Sequence, residues 1–309
     1  MMGRETSVLV AGASKALGRA IVEALEDHER FAPMTAPQPE WSDQGETERF
    51  FAEHAPEHVI IAAGRSGGIS FNRQRPATLI RDNLMVAANI IHAAHRHGVQ
   101  RLLFLASSCI YPRMSEQPIQ EQALLTGPLE PTNQAYAVAK IAGVELCRAY
   151  RTEYGHDFIP VAPTNYFGPG DDFSPENSHV VGALIRRMHE AREQALPFIE
   201  IWGTGQARRE FMYTRDLGRA CVFVLDKYQG HDLINIGTGF SLSIGELAEI
   251  IRDIVGYRGE LRYDASKPDG MPVKELDGSV LRGLGFAEAT PFRDALAATY
   301  QWFIQNKAK

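Results

Sequence analysis

Short, continuous apolar runs alternate with longer amphipathic segments through the first half of the chain. Ser7–Ala11 reads as a buried strand, and the glycine-bounded turn after it opens a helix from about Leu17 to Asp27. Phe31–Thr35 predicts a weaker second strand, because Pro33 interrupts it. HVIIAA at 58–63 and RLLFLA at 101–106 predict two further buried strands. Between them Pro76 is placed to start a helix that reaches about His97 and stops at Gly98. A second long helix spans about Ala135–Tyr154, stops at Gly155, and is followed by a strand at Phe158–Ala162. Strand–helix alternation of this kind predicts an α/β fold, a doubly wound parallel sheet of the Rossmann type.

After Pro163 the pattern changes. Loops rich in Gly, Pro and Asn over Asn165–Ser178 lead into a helix at about Val180–Gln194. The turns Trp202-Gly203 and Thr204-Gly205 follow, and then a helix after Asp216. The expected organisation is a dinucleotide-binding domain over 1–164 with a return segment at about 210–240. A smaller C-terminal substrate domain is expected from 165–209 and 241–309. The cleft between them is the expected site.

Composition narrows the class. Of the 309 residues, 44% are hydrophobic and 23% charged, the balance of an ordinary globular enzyme. A net charge of −6 without a Lys/Arg-rich run argues against nucleic acid or an anionic membrane as partner. No apolar stretch approaches the roughly 18 residues of a spanning helix. Cys109, Cys147 and Cys221 form no CxxC pair and no even-numbered framework, so reduced thiols and a cytoplasmic location are expected, and no metal site.

Two patterns carry chemistry. In VLVAGASKALG (8–18), Gly12 permits a tight turn and Gly18 a close helix–strand approach, so the helix N-terminus can present free N–H groups to a pyrophosphate. A glycine turn before any helix is the plainer alternative. No acid follows the second strand, which ends Met34-Thr35-Ala36, and Lys15 sits in the turn where a 2′-phosphate could lie. Both features favour NADP over NAD. In Tyr136-Ala-Val-Ala-Lys140 a phenol and an ammonium stand one helical turn apart, an arrangement expected to lower the phenol pKa from roughly 10 and to let it protonate a carbonyl oxygen. A solvated helix face would give the same spacing. Ser107-Ser108, just beyond the fourth strand, supplies a hydroxyl for the same oxygen.

With these come SSCIYP (107–112), EPTN (130–133), PTN (163–165) with Gly168-Pro169, NSHV (177–180), Arg186-Arg187, Trp202-Gly203, REF (209–211) and DASKPDG (264–270). Together they span nearly the whole chain, and it resembles the GDP-L-fucose synthases, the GDP-4-keto-6-deoxymannose epimerase/reductases of the extended short-chain dehydrogenase/reductase family. The resemblance implies NADPH-dependent epimerisation of a GDP-4-keto-6-deoxy sugar at C3 and C5, then reduction at C4. A related GDP-4-keto sugar (3,6-dideoxy or heptose), or a redox-neutral epimerase that retains NAD, are alternative readings. It also implies a homodimer through the helices near 76–97 and 135–154.

By the same match Ser107, Tyr136 and Lys140 serve the reduction and Cys109 and His179 the epimerisations. Cofactor contacts are implied at Gly12, Ser14, Lys15, Ala16, Leu17 and Gly18 in the turn. Further ones fall on Leu105, Ala106, Ser107 and Ser108 after the fourth strand, on Lys140, on Pro163, Thr164, Asn165 and Tyr166, and on His179. Arg187, Trp202, Arg209 and Asp269 are implied for the GDP-sugar. Taken singly, the two arginines could be solvated charges, Trp202 a core residue and Asp269 a turn residue. The chain departs from the family pattern at Lys15, where a glycine is expected, and at Met34-Thr35-Ala36, where basic residues are common. Protons on C3 and C5 are α to the C4 ketone. A thiol (pKa roughly 8.5) and an imidazole (roughly 6.5) on opposite ring faces could therefore invert both centres, with Ser107 and Tyr136 stabilising the enolate oxygen.

Overall fold

The computed structural model describes residues 5–306 apart from 176, 268, 288 and 289, with the backbone alone at 69 and 70. In chain order the first elements are β1 (Thr6–Ala11), α1 (Ala16–Glu26), β2 (Phe31–Pro33), α2 (Gln44–His54), β3 (His58–Ile61), α3 (Ile69–Gln74), α4 (Pro76–Arg96), β4 (Arg101–Leu105), α5 (Gln134–Tyr154) and β5 (Asp157–Pro163). There follow β6 (Asn165–Phe167), α6 (Val180–Glu193), β7 (Phe198–Trp202), β8 (Arg208–Tyr213), α7 (Thr214–Lys227), β9 (Ile234–Ile236), β10 (Ser241–Ser243), α8 (Ile244–Val255), β11 (Glu260–Asp264), β12 (Val273–Lys274), α9 (Ser279–Gly283) and α10 (Phe292–Asn306).

Six strands form one all-parallel sheet in the order β2-β1-β3-β4-β5-β9. The chain leaves β1 to one side for β2 and returns to the other for β3. The carboxyl ends of β1 and β3 therefore flank the switch point where such sheets bind ligands. Side chains alternate between the faces with the strand period. Leu9, Val59, Ile61, Leu102 and Phe104 join one core with Phe51, Ile90, Ile91 and Val144 of α2, α4 and α5. Val8, Val10, Ile60, Leu103 and Leu105 join the other with Ile21, Leu25, Leu217 and Cys221 of α1 and α7. Burial on both faces is why these strands read as unbroken apolar runs.

A third core gathers Phe167, Leu184, Ile185, Met188, Phe211, Leu247 and Phe303 around β6–β8, α6, α8 and α10. Here β8 pairs with β10 and β12, and also with β6, while β7 pairs with β11. The chain passes back to the large sheet at α7 and β9, and Leu281 of α9 and Phe286 also pack beneath that sheet.

Three local readings change. Strand β2 stops at Pro33, short of Thr35. Residues 165–167, expected in a loop, form β6, which pairs with Phe211–Tyr213 of β8. Helix α7 begins at Thr214, with Asp216 inside its first turn. The helix ends match the punctuation in the sequence: Pro76 opens α4, and Gly155 closes α5 in the left-handed conformation at φ 74°.

Candidate active site

The turn after β1 is shaped by two glycines. Gly12 has φ +92°, and a Cβ on it would stand 2.8 Å from the Ala63 backbone; a Cβ on Gly18 would lie 2.1 Å from the Gly12 carbonyl oxygen. Ser14 and Lys15 are exposed, and Lys15 is the N-cap of α1 without a side-chain cap bond. The first-turn amides of α1, from Ala16 and Leu17 toward Gly18, are thus left without a capping side chain, a cradle suited to a pyrophosphate. Earlier in the turn the amides are already used: Gly12 donates to Gln38 Oε1 at 2.8 Å, and Ala13 and Lys15 donate to the Val10 and Gly12 carbonyls. The first carboxylate after β2 is Glu40, whose Oε1 accepts from the Ser42 amide and hydroxyl. No free acid therefore stands at the end of β2 to select a ribose 2′-hydroxyl.

At the carboxyl end of β4, Ser107 caps a single 3₁₀ turn over Ser108–Ile110, its Oγ accepting from the Cys109 amide at 3.3 Å. A hydrogen bond joins the Ser107 hydroxyl to the Tyr136 phenol in the first turn of α5. Burial, with Cys109 and Tyr166 beside it, raises the Tyr136 pKa above its ordinary 10, and the Ser107 bond only partly opposes this. The phenol is held protonated, the form that donates. Lys140, one turn on, is buried, and its ammonium donates to the Leu105 carbonyl at 2.8 Å. Burial lowers its pKa to about 8. The expected lowering of the tyrosine by the lysine is not what the fold produces. The ammonium lies 5.9 Å from the Tyr136 ring centre and spends its bond on the strand, so desolvation governs both groups.

Cys109 is half-buried and free. Its Sγ accepts from Asn133 Nδ2 at 3.1 Å and from Lys274 Nζ at 3.3 Å. Neither donor was singled out from the sequence. Asn133 is the N-cap of α5, three residues before Tyr136, and that position was the available signal. Lys274 comes from β12, 165 residues away, and no local pattern marks it. Cys147 and Cys221 are buried in the two faces of the large sheet.

His179 is the N-cap of α6. The Gly68 amide donates to the Asn177 carbonyl, which places the NSHV segment against the loop after β3. Burial lowers the His179 pKa below 6.5, with Asp172 opposing, so the ring is neutral near pH 7 and keeps one N–H to give. Among the described residues it makes no hydrogen bond to Ser107, Cys109 or Tyr136. Pro163 ends β5; Thr164 and Asn165 side chains both donate to the Glu210 carbonyl, and Tyr166 packs toward Tyr136. Asp171, buried near Tyr166, is pushed up to about 7 by desolvation.

The four residues implied for the GDP-sugar gather on another side of the same region. Arg187 of α6 donates to the Glu200 carbonyl in β7. Trp202 ends β7 at 59% exposure, which removes the core reading, with Lys267 Nζ 5.9 Å over its ring. Asp269 accepts from the Thr204 amide and hydroxyl at 2.7 and 2.8 Å, so it does pin a turn. Arg209 donates to the carbonyls of Arg208, Met271 and Asp269, and sits close enough to Cys109 and Asp269 for both to oppose the lowering that burial causes. Neither arginine is a plain solvated charge. Arg209 and Lys274 are register partners across β8 and β12, and they link this group to the Cys109 sulfur.

Residues 8–237 match the model of the NAD dependent epimerase/dehydratase family. GDP-L-fucose synthase 1 of Arabidopsis thaliana is 46% identical over 308 residues, covering 99% of this chain and 95% of the relative. The chain belongs to this family, in its GDP-L-fucose synthase branch. The GDP-L-fucose synthase of Escherichia coli strain K12 is 43% identical over 97% of both chains. A solved GDP-L-fucose synthetase from Naegleria fowleri bound to NADP superposes with a TM-score of 0.90 at 27% identity, covering 100% of this chain and 97% of that one. Among the described residues, no helix of this family member is long and apolar enough to cross a membrane.

Proposed function

We propose that the chain converts a GDP-4-keto-6-deoxy-hexose to GDP-L-fucose, inverting C3 and C5 and reducing C4 with NADPH. The observation that carries this is the convergence at the end of β4. There the Ser107 hydroxyl and a protonated Tyr136 phenol are hydrogen-bonded, and the Cys109 sulfur stands beside the phenol. The turn between Gly12 and Gly18 suits a dinucleotide pyrophosphate: the two glycines let backbone pass close enough to keep the turn tight, and the first-turn amides of α1 have no capping side chain. Residues 105–108 and 163–166 and Lys140 complete the proposed cofactor contacts. NADPH supplies the hydride for C4 when bound.

The chain's own residues handle the protons. Ser107 and Tyr136 hydrogen-bond the ketone oxygen, so they stabilise the enolate when a proton leaves C3 or C5. Cys109 takes that proton on one ring face, and His179 gives one back on the other from its remaining N–H. In the last step Tyr136 protonates the same oxygen. Arg187 and Arg209 are assigned to the diphosphate, Trp202 to the guanine and Asp269 to the turn that frames it. In this reading residues 1–164, with the return at about 210–240, hold the cofactor, and 165–209 with 241–309 hold the nucleotide sugar. A homodimer through α4 and α5, the latter with Val138 and Tyr154 exposed, and a cytoplasmic location for its three free thiols belong to the same proposal. Incubation with GDP-4-keto-6-deoxymannose and NADPH tests it. NMR should identify GDP-L-fucose, and a 6-deoxy sugar with unaltered C3 and C5 would refute the epimerase half.

A further inference from the structure

We propose that Lys274 is a positioning residue for the epimerisations: its ammonium holds negative charge on the Cys109 sulfur and so sets how much of the base is ready near neutral pH. The inference rests on Cys109 being that base. Lys274 Nζ lies 3.3 Å from Sγ and Asn133 Nδ2 lies 3.1 Å from it. The Lys274 ammonium is a donor only, so a thiol S–H finds no acceptor in it, whereas a thiolate accepts from both Nζ and Nδ2.

The lysine is aimed by its backbone. Strand β12 lies parallel to β8 with Lys274 opposite Arg209. The next residue is held twice, its amide donating to Gln117 Oε1 at 2.9 Å and its carbonyl accepting from the Ile119 amide at 2.8 Å. Leu276 then donates to Oε2 of Glu210, a carboxylate with no exposure to solvent. Held by its pairing with β8 and by the two residues after it, the side chain loses less freedom in reaching the sulfur. Lys274 has no ion pair among the described residues, so its charge is not already neutralised.

Other charged or titratable groups lie near the sulfur from β8 and α5, and a carboxylate of the loop before α5 lies near the β8 arginine. Arg209 of β8 is a second cation, but its donors go to the carbonyls of Arg208, Met271 and Asp269. Tyr136 of α5 presents a phenol that burial keeps neutral. Glu130, before α5, pairs with Arg113 at 3.3 Å. Lys274 is therefore the cation that donates a hydrogen bond to the Cys109 sulfur.

The test is the pH profile of iodoacetamide alkylation of the full-length chain, with Cys109→Ala to subtract any reaction at the buried Cys147 and Cys221. Lys274→Met should move the midpoint up by about 1 unit or more and slow alkylation near neutral pH about tenfold. Lys274→Arg, which keeps the charge, should leave the midpoint nearly in place. If the Met variant fails to fold, as judged by NADPH binding, Lys274→Gln should show the same upward shift. A midpoint unmoved in a Met or Gln variant that binds NADPH normally overturns the proposal, and a rise in KM alone would then assign Lys274 to the substrate. Deuterium exchange in Cys109→Ser judges the base separately. Exchange retained there overturns the catalytic use of the contact, whatever the alkylation profile shows.

Discussion

The Lys140 ammonium donates to the Leu105 carbonyl at 2.8 Å, while the Tyr136 ring centre lies 5.9 Å away. The lysine thus reads the end of β4, the strand that also delivers Ser107, and it ties α5 to the sheet at the level of the chemistry. Tyr136 is left with Ser107 as its hydrogen-bond partner, and burial keeps the phenol protonated until a substrate oxygen takes its proton.

Tyr136→Phe keeps the ring and removes that proton. Stopped-flow oxidation of NADPH by the keto-sugar should slow by a factor of about 10² or more. Affinity for NADPH should change little. Near-normal turnover would remove Tyr136 from the mechanism.

Lys140→Met tests the buried charge by its pH dependence. Burial lowers the lysine pKa from 10.5 to about 8, so below about pH 8 the folded state carries the full cost of a desolvated ammonium. Between about 8 and 10.5 the unfolded chain binds more protons than the folded one, and this group's contribution to stability rises with pH. The Met variant, which lacks the cost, should therefore gain most over the wild type near neutral pH, up to about 3 kcal/mol less the lost Leu105 bond. That gain should shrink as pH approaches 10.5. Denaturant midpoints of the two proteins at several pH values read it; a gap that widens with pH contradicts the assignment.

Gly18→Ala places a methyl 2.1 Å from the Gly12 carbonyl oxygen, where only backbone can yield. The turn must open. NADPH binding, followed by fluorescence, should weaken at least about tenfold, and the fold should lose about 1–3 kcal/mol. Wild-type affinity would mean that the turn is not the phosphate site.

Lys15→Ala addresses cofactor choice. Lys15 is exposed at the N-cap of α1, and Glu40 is bound to Ser42. The loss should fall on NADPH more than on NADH, by about tenfold for one charged contact to a phosphate. Equal losses for both cofactors would show that Lys15 does not read the 2′-phosphate.

The central strands were legible because burial on both faces leaves them uniformly apolar, and α4 and α5 because Pro76, Gly98 and Gly155 punctuate them. Helix α2 was not. Its buried face is only Thr47, Phe50 and Phe51 in an otherwise charged segment. Strands β6, β10 and β12 are too short to show a period and exist by pairing with β8. Ser107, Tyr136 and Lys140 lie in two local motifs and were read from them, whereas the role of Cys109 came only with the family resemblance. The partners of Cys109 come from positions 24 and 165 residues away, and only folding brings them to the sulfur. The direction of the Tyr136 shift was misjudged because spacing reveals neither burial nor the competing Leu105 carbonyl.

The central claim is that one oxygen site, formed by Ser107 and Tyr136, serves both chemistries while Cys109 moves the ring protons. Product NMR after turnover of Cys109→Ser with GDP-4-keto-6-deoxymannose and NADPH in D₂O tests it most directly. Serine is a far weaker base, so deuterium at C3 and C5 should disappear, and any reduction that persists should yield the unepimerised 6-deoxy sugar. Full deuteration with an epimerised product would contradict the claim and leave the chain a plain 4-ketoreductase.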